Sequence, residues 1–317
     1  MKLIFGRDDR IGGNLGDELN AFIWPSLFKN AYSCNNDGIA FLGIGSILSP
    51  DPTYNWWMKE STKIIFGTGV RPFSQNLCLD DTMHIYFVRG PLSCNYLGLD
   101  KSKSITDSAY CLQFTPHFKD IVKVKRTKNV IGLIPHFQSL KYVNWDEICY
   151  KLGYVFISPI CDGNNIIPIL KTIASCDYII SEAMHGAILA DIMRIPWARF
   201  VFSTYRNESS QVSEFKWMDW MFSLNLKYPG FLPIPMTNKI NNGIAKISRG
   251  KIYLNSVFKH SITKIIIKKM VEWEPSYTLS KDYILNKVNS KLCEQIEKFR
   301  KDYESSLCII SGSHSHQ

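Results

Sequence analysis

The sequence has no apolar run that approaches the roughly 18 to 20 residues a helix needs to cross a bilayer. Its start, MKLIFGRDDR, stays apolar for only a few positions before charges intervene, which argues against a secretory signal peptide. The composition is 45% hydrophobic and 13% aromatic, enough to build sizeable cores. We therefore expect a folded, soluble protein of the cytoplasm.

Motifs for metals and nucleotides are missing as well. The chain contains no CxxC pair, no HExxH and no closely spaced His/Cys cluster, so we predict no metal site. The first glycine-rich turn, IGGNLGDEL, is neither GxGxxG nor a P-loop with GK[ST], which argues against dinucleotide and Walker-type sites. The nine cysteines are scattered, and we expect most of them to be buried apolar residues. No cofactor is expected.

Positive charge is concentrated towards the C-terminal end. The formal net charge is +9, and residues 226–317 hold 15 Lys plus Arg against 7 Asp plus Glu. This asymmetry indicates an acidic partner, such as an anionic membrane face or a lipid-diphosphate-linked substrate, and solvated lysine-bearing helices are the alternative. Because no zinc finger, RNP-type motif or recognition helix is present, we expect no nucleic-acid partner.

Apolar strand-like runs alternate with helix-like stretches from the start of the chain to Ser203. Short buried runs that end in glycine are typical of parallel strands, and alternation with helices indicates βαβ units. The predicted strands lie within 2–5, 39–46, 63–70, 84–90, 130–137, 154–160, 178–186 and 197–203. The predicted helices include 16–28, 144–151, 164–175, 187–193, 256–272 and 280–302.

This pattern predicts an α/β fold with two Rossmann-like domains that face a central cleft, followed by C-terminal helices. A chain of 317 residues exceeds the usual size of a single core, and ligands bind at the carboxyl ends of the strands in such sheets. The predicted divisions are an N-terminal domain 1–117, a linker 118–129, a second domain 130–225, a basic helical segment 226–310 and a disordered tail 311–317.

Glycine-rich turns follow three predicted strands of the first domain. Glycine permits close backbone approach, and the N–H groups at a helix start favour an anion or a sugar hydroxyl. The candidate binding residues in these turns are Gly13, Asn14, Gly16, Gly45, Ser46, Gly67 and Gly69. Asp17 either caps the following helix or activates a hydroxyl. Arg89 ends a strand in VRGPLS, and we expect its planar fork to bind a carboxylate or phosphate rather than to form a surface ion pair.

The stretch IISEAMHGAILADIM (179–193) joins a strand-like run to a helix-like run through a histidine and a glycine. Such a histidine is more often a satisfied core residue. Here the position at the turn, Gly186 immediately after it and Glu182 shortly before it favour a functional role. A helix start would bind phosphate, and His185 would donate a proton.

The motifs NLGDEL, FLGIGSIL, IFGTGV, VRGPLS, ITDSAY, IGLIPH and ISEAMHGAILADIMRIPW together resemble the polysaccharide pyruvyl transferase family, in the branch associated with bacterial exopolysaccharide and capsule. The resemblance covers about residues 12–203. It implies a GT-B-like pair of Rossmann domains, with the acceptor on the first and the donor on the second. It also implies transfer of pyruvate from phosphoenolpyruvate to two hydroxyls of one sugar, without a metal.

One position departs from the family pattern. Other members carry a basic residue two places before the histidine, and this chain has Ala183 there, with Met184 and His185 kept. The missing charge would have to come from Arg89, Arg199 or Arg206.

In the implied reaction His185, oriented by Glu182, protonates the donor, and Asp17 or Asp107 accepts a proton from the sugar hydroxyl. Two other functions stay open: a GT-B glycosyltransferase that uses a nucleotide-sugar, and a non-catalytic carbohydrate-binding protein. A lipid-diphosphate-linked acceptor and peripheral contact with the inner membrane would suit the basic C-terminal segment. The aromatic residues Trp217, Trp220, Tyr228 and Trp273 either contribute to that contact or belong to the core.

Overall fold

The computed structural model describes residues 1–6, 13–29, 38–51, 55–72, 77–161, 165–236 and 256–304. The predicted tail 311–317 lies outside the described residues, as do the first two residues of the turn IGGNLGDEL and residues 237–255 of the basic segment. The chain forms two compact units. Unit 1 comprises 1–119, 214–228 and 280–317, and unit 2 comprises 120–213 and 229–279.

The described residues contain ten α-helices. Each of the six predicted helix ranges corresponds to one of them, whereas the two helices within 204–223 were not predicted and a short helix, 118–122, lies in the predicted linker. The ten helices are α1 (Leu15–Leu27), α2 (Pro91–Tyr96), α3 (Phe118–Val122), α4 (Trp145–Leu152), α5 (Ile166–Ser175), α6 (Met184–Ile192), α7 (Thr204–Glu208), α8 (Ser210–Ser223), α9 (Ser256–Val271) and α10 (Asp282–Phe299). Short 3₁₀ helices cover Trp56–Lys59, Lys101–Lys103, Ser108–Phe114 and Phe137–Ser139, and a π-helical turn covers Arg300–Glu304. The one clear shift is α6, which begins at Met184 instead of residue 187 and so takes His185 into its first turn.

Eleven short strands occur in the same residues. Each predicted range contains a strand, but the strands are shorter than the ranges, residues 184–186 are helical, and the strands at 13–14 and 232–233 were not predicted. The eleven strands are β1 (Lys2–Ile4), β2 (Gly13–Asn14), β3 (Ile39–Leu42), β4 (Thr62–Phe66), β5 (Met83–Phe87), β6 (Ile131–Ile134), β7 (Val155–Phe156), β8 (Ile160–Cys161), β9 (Tyr178–Ser181), β10 (Trp197–Val201) and β11 (Leu232–Pro233). The strands that build the two main sheets pair in parallel throughout, as runs buried on both faces predict.

Unit 1 is built on a parallel sheet of order β1-β3-β4-β5. Its core is aromatic: the ring of Phe299, at the end of α10, lies 4.3 Å from Phe28, 5.5 Å from Phe41 and 5.8 Å from Phe66 between centroids. The pairs with Phe41 and Phe66 are edge-to-face and the pair with Phe28 is tilted, and aromatic pairs contribute about 0.5–1.5 kcal/mol each beyond their buried area. The helix α10 is therefore part of the N-terminal unit, although most of unit 2 lies between it and β5 in the sequence.

Unit 2 carries a second parallel sheet, of order β11-β10-β9-β6-β7. Its core joins strand residues such as Leu133, Ile180 and Phe200 to the buried side of α9. The helix α4 begins after the N-cap Asn144, whose side chain accepts from the N–H of Glu147 at 3.3 Å. It ends at Gly153 in the left-handed conformation. The helix α4 is thus stabilised both by its caps and by the packing of Trp145, Ile148 and Cys149 in the core of unit 2.

The compact units divide the chain differently from the predicted ranges. Residues 214–228 belong to unit 1 and not to the domain predicted at 130–225, and the segment 226–310 is split between the units because α9 packs on one core and α10 on the other. Trp217 and Trp220 are buried, and Trp273 packs against the core of unit 2, so the core alternative holds for these aromatic residues. The predicted cleft stays a prediction.

Three further observations concern membrane spans, cysteines and metal ligands. No helix in the described part of the chain is both long and apolar enough to span a bilayer. Five of the seven described cysteines are buried, which confirms the expected apolar role for most of them. Within the same residues no group of His, Cys, Asp and Glu side chains is arranged to hold a metal ion.

Candidate active site

The motif around His185 folds as a tight turn at the carboxyl end of β9. Ala183 is the N-cap of α6 and offers no side-chain cap, so the first N–H groups of the helix receive no cap from it. His185 is the second residue of the helix and is half-buried. A helix start with this composition favours an anionic group beside the imidazole.

Glu182 is the most heavily hydrogen-bonded side chain of this corner, and it is buried. One carboxylate oxygen, Oε1, accepts from the backbone N–H groups of Phe202 (3.0 Å), Ser203 (2.7 Å) and Thr204 (3.0 Å) and from the hydroxyl of Thr204 (2.8 Å). The other oxygen, Oε2, accepts from the N–H of His136 (3.0 Å) and the hydroxyl of Ser139 (2.5 Å). Six donors therefore converge on a single carboxylate.

This geometry corrects the predicted role of Glu182. Its partners lie after β6 and after β10, and His185 is not among its hydrogen-bond partners in the described residues. The carboxylate cannot be the direct orienting partner of the imidazole, because both of its oxygens are committed to these turns. It instead ties together the carboxyl ends of three neighbouring strands.

Close packing explains the residues that flank His185. A Cβ atom at Gly186 would lie 2.3 Å from the Ser181 hydroxyl and 2.9 Å from Cδ1 of Ile134, so only glycine lets α6 approach the sheet this closely. Met184 is buried, and the Ser181 hydroxyl donates to the carbonyl of Ala183 at 2.7 Å. The backbone on either side of His185 is therefore held by the hydrogen bond at Ala183 and by the close packing at Gly186.

The two predicted arginines of unit 2 occupy different environments. Arg199 is buried within β10, where Nη2 donates to the Ser213 hydroxyl at 3.3 Å and the guanidinium carbon lies 5.0 Å from the centre of the Phe231 ring. Arg206 is exposed on α7, two residues after Thr204, which is itself bound to Glu182. Of this pair, Arg206 is the one whose side chain reaches solvent.

In unit 1 the glycine turns are required by their backbone conformation and by their neighbours. Gly45 and Gly67 have φ values of +135° and +90°, a region that disfavours other residues. A Cβ at Gly69 would lie 2.2 Å from Cζ of Arg89, and one at Gly13 would lie 2.0 Å from the carboxylate of Glu18. These turns are packed against side chains; Gly16, by contrast, is simply a buried residue in the first turn of α1.

Arg89 is fully buried, so it is neither a surface ion pair nor a side chain open to solvent. Its Nε donates to Oδ2 of Asp219 at 3.0 Å, and its Nη1 donates to the Ser46 hydroxyl at 2.6 Å. Asp219 also accepts from the N–H groups of Leu92 and Ser93, each at 2.9 Å, and so caps α2. The charge of Arg89 is therefore already paired with Asp219, which argues against its predicted role as an anion ligand.

Two carboxyl groups of unit 1 have raised pKa values. Burial raises the pKa of Asp17 to about 7, against the lowering effects of the Asn14 hydrogen bond and the charge of Lys216. Burial also raises the pKa of Asp107 to about 6, although Arg89 and the hydrogen bond from the N–H of Ala109 lower it. Asp17 is half-buried whereas Asp107 is fully buried, so Asp17 is the more accessible of the two.

The structure excludes one of the two roles predicted for Asp17, that of helix cap. The Asn14 side chain caps α1 by accepting from the N–H of Asp17 at 3.1 Å, and it also donates to the Asp17 carboxylate. Asn14 is the capping residue, so Asp17 is not the N-cap of α1, and one of its carboxylate oxygens accepts from Asn14.

Sequence reasoning missed several residues that organise these two regions: His136, Ser139, Ser203, Lys216 and Asp219. For Asp219 a signal was present, because a carboxylate stands within the apolar run WMDWM of a helix, where it must find a partner. Ser139 and Ser203 gave no such signal, since serines in loops are common and their hydroxyls lie 2.5 Å apart only in the folded chain.

Comparison with known proteins identifies the family. The model of the polysaccharide pyruvyl transferase family matches residues 18–203, more than half of the chain. The chain belongs to this family. The match includes both the glycine turns that follow β3 and β4 in unit 1 and the His185 corner of unit 2.

A curated relative agrees with this assignment. The succinoglycan biosynthesis protein ExoV of Rhizobium meliloti (strain 1021) is 29% identical over 230 residues, which cover 70% of this chain and 65% of the relative. The chain thus matches slightly less than two thirds of the length of that protein.

Among solved structures, two variants of the wall teichoic acid polymerase TagF align with 82% of this chain and 74% of theirs, at 12% identity and a TM-score of 0.32. Similarity at that level supports no conclusion about this protein.

Proposed function

We propose that the protein transfers the pyruvyl group of phosphoenolpyruvate to two hydroxyls of one sugar in a bacterial surface-polysaccharide precursor. The products are a cyclic pyruvate ketal and inorganic phosphate. The family match over residues 18–203 carries this proposal, because it takes in the corner where His185 opens α6. A GT-B-like arrangement of the two units, a cytoplasmic location and a lipid-linked acceptor belong to the same proposal.

The donor chemistry suits the His185 corner. Phosphoenolpyruvate carries a carboxylate and a phosphate, which helix-start N–H groups and a cationic side chain stabilise. Protonation of its C3 carbon makes C2 electrophilic, and an imidazole supplies that proton near neutral pH. We assign this role to His185. Glu182 then acts as a positioning residue, since its six hydrogen bonds hold the turns on either side.

The acceptor chemistry needs a base. The first sugar hydroxyl forms a bond to C2 and loses its proton, and the second hydroxyl forms the other C–O bond as the C2–O bond to phosphate breaks. One proton enters at C3 and the two hydroxyl protons leave, one of them with the departing phosphate. Asp17 suits the first of these deprotonations because the residue is only half-buried and its pKa is raised to about 7. Asp107 is fully enclosed and less suited.

The charge missing at Ala183 is assigned to Arg206. Arg89 is neutralised by Asp219 at 3.0 Å, and Arg199 is buried within its strand. Arg206 is exposed on α7, and the turn that opens α7 is tied to Glu182 through the N–H of Thr204 at 3.0 Å. That turn and the turn before α6 are thus joined by one carboxylate.

The test is donor binding by calorimetry, with phosphoenolpyruvate, CMP and a panel of nucleotide-sugars offered to the whole protein. We expect binding of phosphoenolpyruvate that weakens in Arg206→Ala. Binding of nucleotides alone would replace this proposal with a glycosyltransferase. Binding of sugars without any donor would indicate a carbohydrate-binding protein. Phosphate release with sugar acceptors, followed by detection of the ketal, completes the assignment.

A further inference from the structure

One face of α9 carries lysines and exposed apolar side chains together. Val257, His260, Lys264, Lys268 and Val271 follow one another at helical spacing, which places them on one side of the helix. All five are exposed, with 75% of Val257 and 71% of Val271 accessible to solvent. We call this set of five residues the α9 face.

The opposite side of the helix is firmly anchored. Phe258, Ile262, Ile266 and Met270 are buried in the core of unit 2. This packing turns the α9 face away from the core of unit 2. The exposed valines therefore do not belong to the core of unit 2.

The charge of this helix has one sign. Its sixteen residues contain four lysines and no Asp or Glu. Two carboxylates beside this helix are paired with lysines: Glu272 lies 3.7 Å from Lys268, and Glu147 of the neighbouring helix α4 lies 2.5 Å from Lys151 and also interacts electrostatically with His260. Lys264 has no ion pair of this kind among the described residues and keeps its charge available to an external anion.

The helix α4, which packs beside α9, also carries an exposed aromatic side chain. Tyr150 is 87% accessible, the largest value among the exposed large apolar residues of the described chain. Tyrosine and valine side chains beside lysines are typical of proteins that rest on a bilayer: the apolar groups enter the headgroup layer and the lysines meet its phosphates.

We infer that the α9 face, together with Tyr150, is a docking surface for an anionic lipid membrane. Charge complementarity favours an anionic partner, and the exposed valines favour one with an apolar phase beneath its charges. Nucleic acid also carries phosphates but has no apolar layer beneath them, so it would leave the exposed valines without a contact. The inference does not depend on pyruvyl transfer, because it concerns a surface of the protein and not the donor.

The test is co-sedimentation of the full-length protein with vesicles of phosphatidylcholine alone or of phosphatidylcholine and phosphatidylglycerol in equal amounts. We expect binding to the anionic vesicles only, and release at high salt. Lys264→Glu with Lys268→Glu should weaken binding by about fivefold or more for each lysine. Val257→Ser with Val271→Ser should weaken binding at unchanged net charge, which separates the apolar contribution from the electrostatic one.

A matched control changes the same number of charges elsewhere. Lys281→Glu with Lys287→Glu alters two exposed residues at the start of α10 and should leave vesicle binding within about twofold of wild type. Equal losses in both lysine pairs would mean that only net charge matters and would overturn the inference. Binding to a DNA duplex but not to vesicles would also overturn it. Phosphoenolpyruvate binding, measured on the same variants, is expected to be unchanged.

Discussion

The guanidinium of Arg89 and the carboxylate of Asp219 form a fully buried ion pair, with Nε and Oδ2 3.0 Å apart. The two residues are 130 positions apart in the sequence. Asp219 also accepts from the N–H groups that open α2 and from the Ser93 hydroxyl at 2.5 Å. A single side chain from α8 therefore fixes the end of the VRGPLS motif, which explains why residues 214–228 belong to unit 1.

We expect Asp219→Asn to destabilise the protein strongly. The change leaves the Arg89 charge buried without its counter-ion, and breaking a buried pair in this way costs about 3–5 kcal/mol in the free energy of unfolding. Urea denaturation, followed by tryptophan fluorescence, measures this loss. The double variant with Arg89→Met should lose less than the sum of the two single changes. Additive losses would show that the two side chains do not act as a pair.

Glu182→Gln is expected to destabilise the His185 corner although it keeps the shape of the side chain. All six partners of the carboxylate are N–H or O–H groups, so the NH₂ group of glutamine would face donors. Hydrogen bonds to a charged group contribute about 1.5–3 kcal/mol each, so a loss of at least about 3 kcal/mol is expected. Thermal unfolding should show it.

Glu147→Gln is the matched control, because Glu147 is exposed and pairs only with Lys151 of its own helix among the ion pairs described. It should leave the melting temperature unchanged. A Glu182→Gln protein that melts with the wild type would contradict the anchoring role.

The sequence predicts the elements well because their causes are local. Strands such as KIIF are continuous apolar runs, and the start of α1 is marked by a capping asparagine. The features that the sequence does not predict depend on contacts between residues that are far apart in the chain. Nothing in the sequence near Glu182 says that its carboxylate accepts from the turns after β6 and β10, and closeness along the chain suggested His185 instead. Similarly, the packing of α10 onto Phe28 cannot be read from the basic composition of that segment.

The pH dependence of stability should report on Asp17. Its pKa in the folded protein is raised to about 7 from an ordinary value of 3.8, so the folded state holds the proton more tightly than the unfolded state. The contribution of Asp17 is then fully present below about pH 4 and is lost as the pH rises through about 7. Asp17→Asn should flatten the free energy of unfolding between those values.

Asp107→Asn provides the comparison, since the pKa of Asp107 is raised only to about 6. The difference in the free energy of unfolding between Asp107→Asn and the wild type should stop changing at a lower pH than the difference caused by Asp17→Asn. Identical curves for wild type and Asp17→Asn would remove Asp17 as a group with a raised pKa. In turnover assays, the apparent pKa of the base in kcat/KM distinguishes the same two carboxyl groups.

His185→Ala should reduce phosphate release from phosphoenolpyruvate by about 100-fold or more, because a positioned general acid contributes that much. Its melting temperature should stay close to that of the wild type, since the half-buried imidazole is not part of the Glu182 network. His84→Ala, which removes an exposed imidazole on β5, is the control and should keep full activity. Wild-type turnover in His185→Ala would exclude His185 from the mechanism.

Ala183→Arg should strengthen binding of phosphoenolpyruvate. Position 183 is the N-cap of α6, so a guanidinium there would meet an anion at the helix start. One added charge-assisted hydrogen bond, about 1.5 kcal/mol, corresponds to roughly a tenfold lower Kd. Calorimetry measures the change, and Ala183→Met, similar in length and uncharged, is the control. Equal affinities in the two variants would place the anion elsewhere.

The same variant tests whether Arg206 supplies the charge that position 183 lacks. In the wild type, Arg206→Ala should weaken phosphoenolpyruvate binding if Arg206 supplies the charge that Ala183 lacks. In the Ala183→Arg background the same change should cost less, since the new arginine supplies part of the interaction. A difference between the two costs is a coupling energy between positions 183 and 206. Equal costs would mean that the two positions act on the ligand independently, and Arg206 would not be the replacement for the missing family residue.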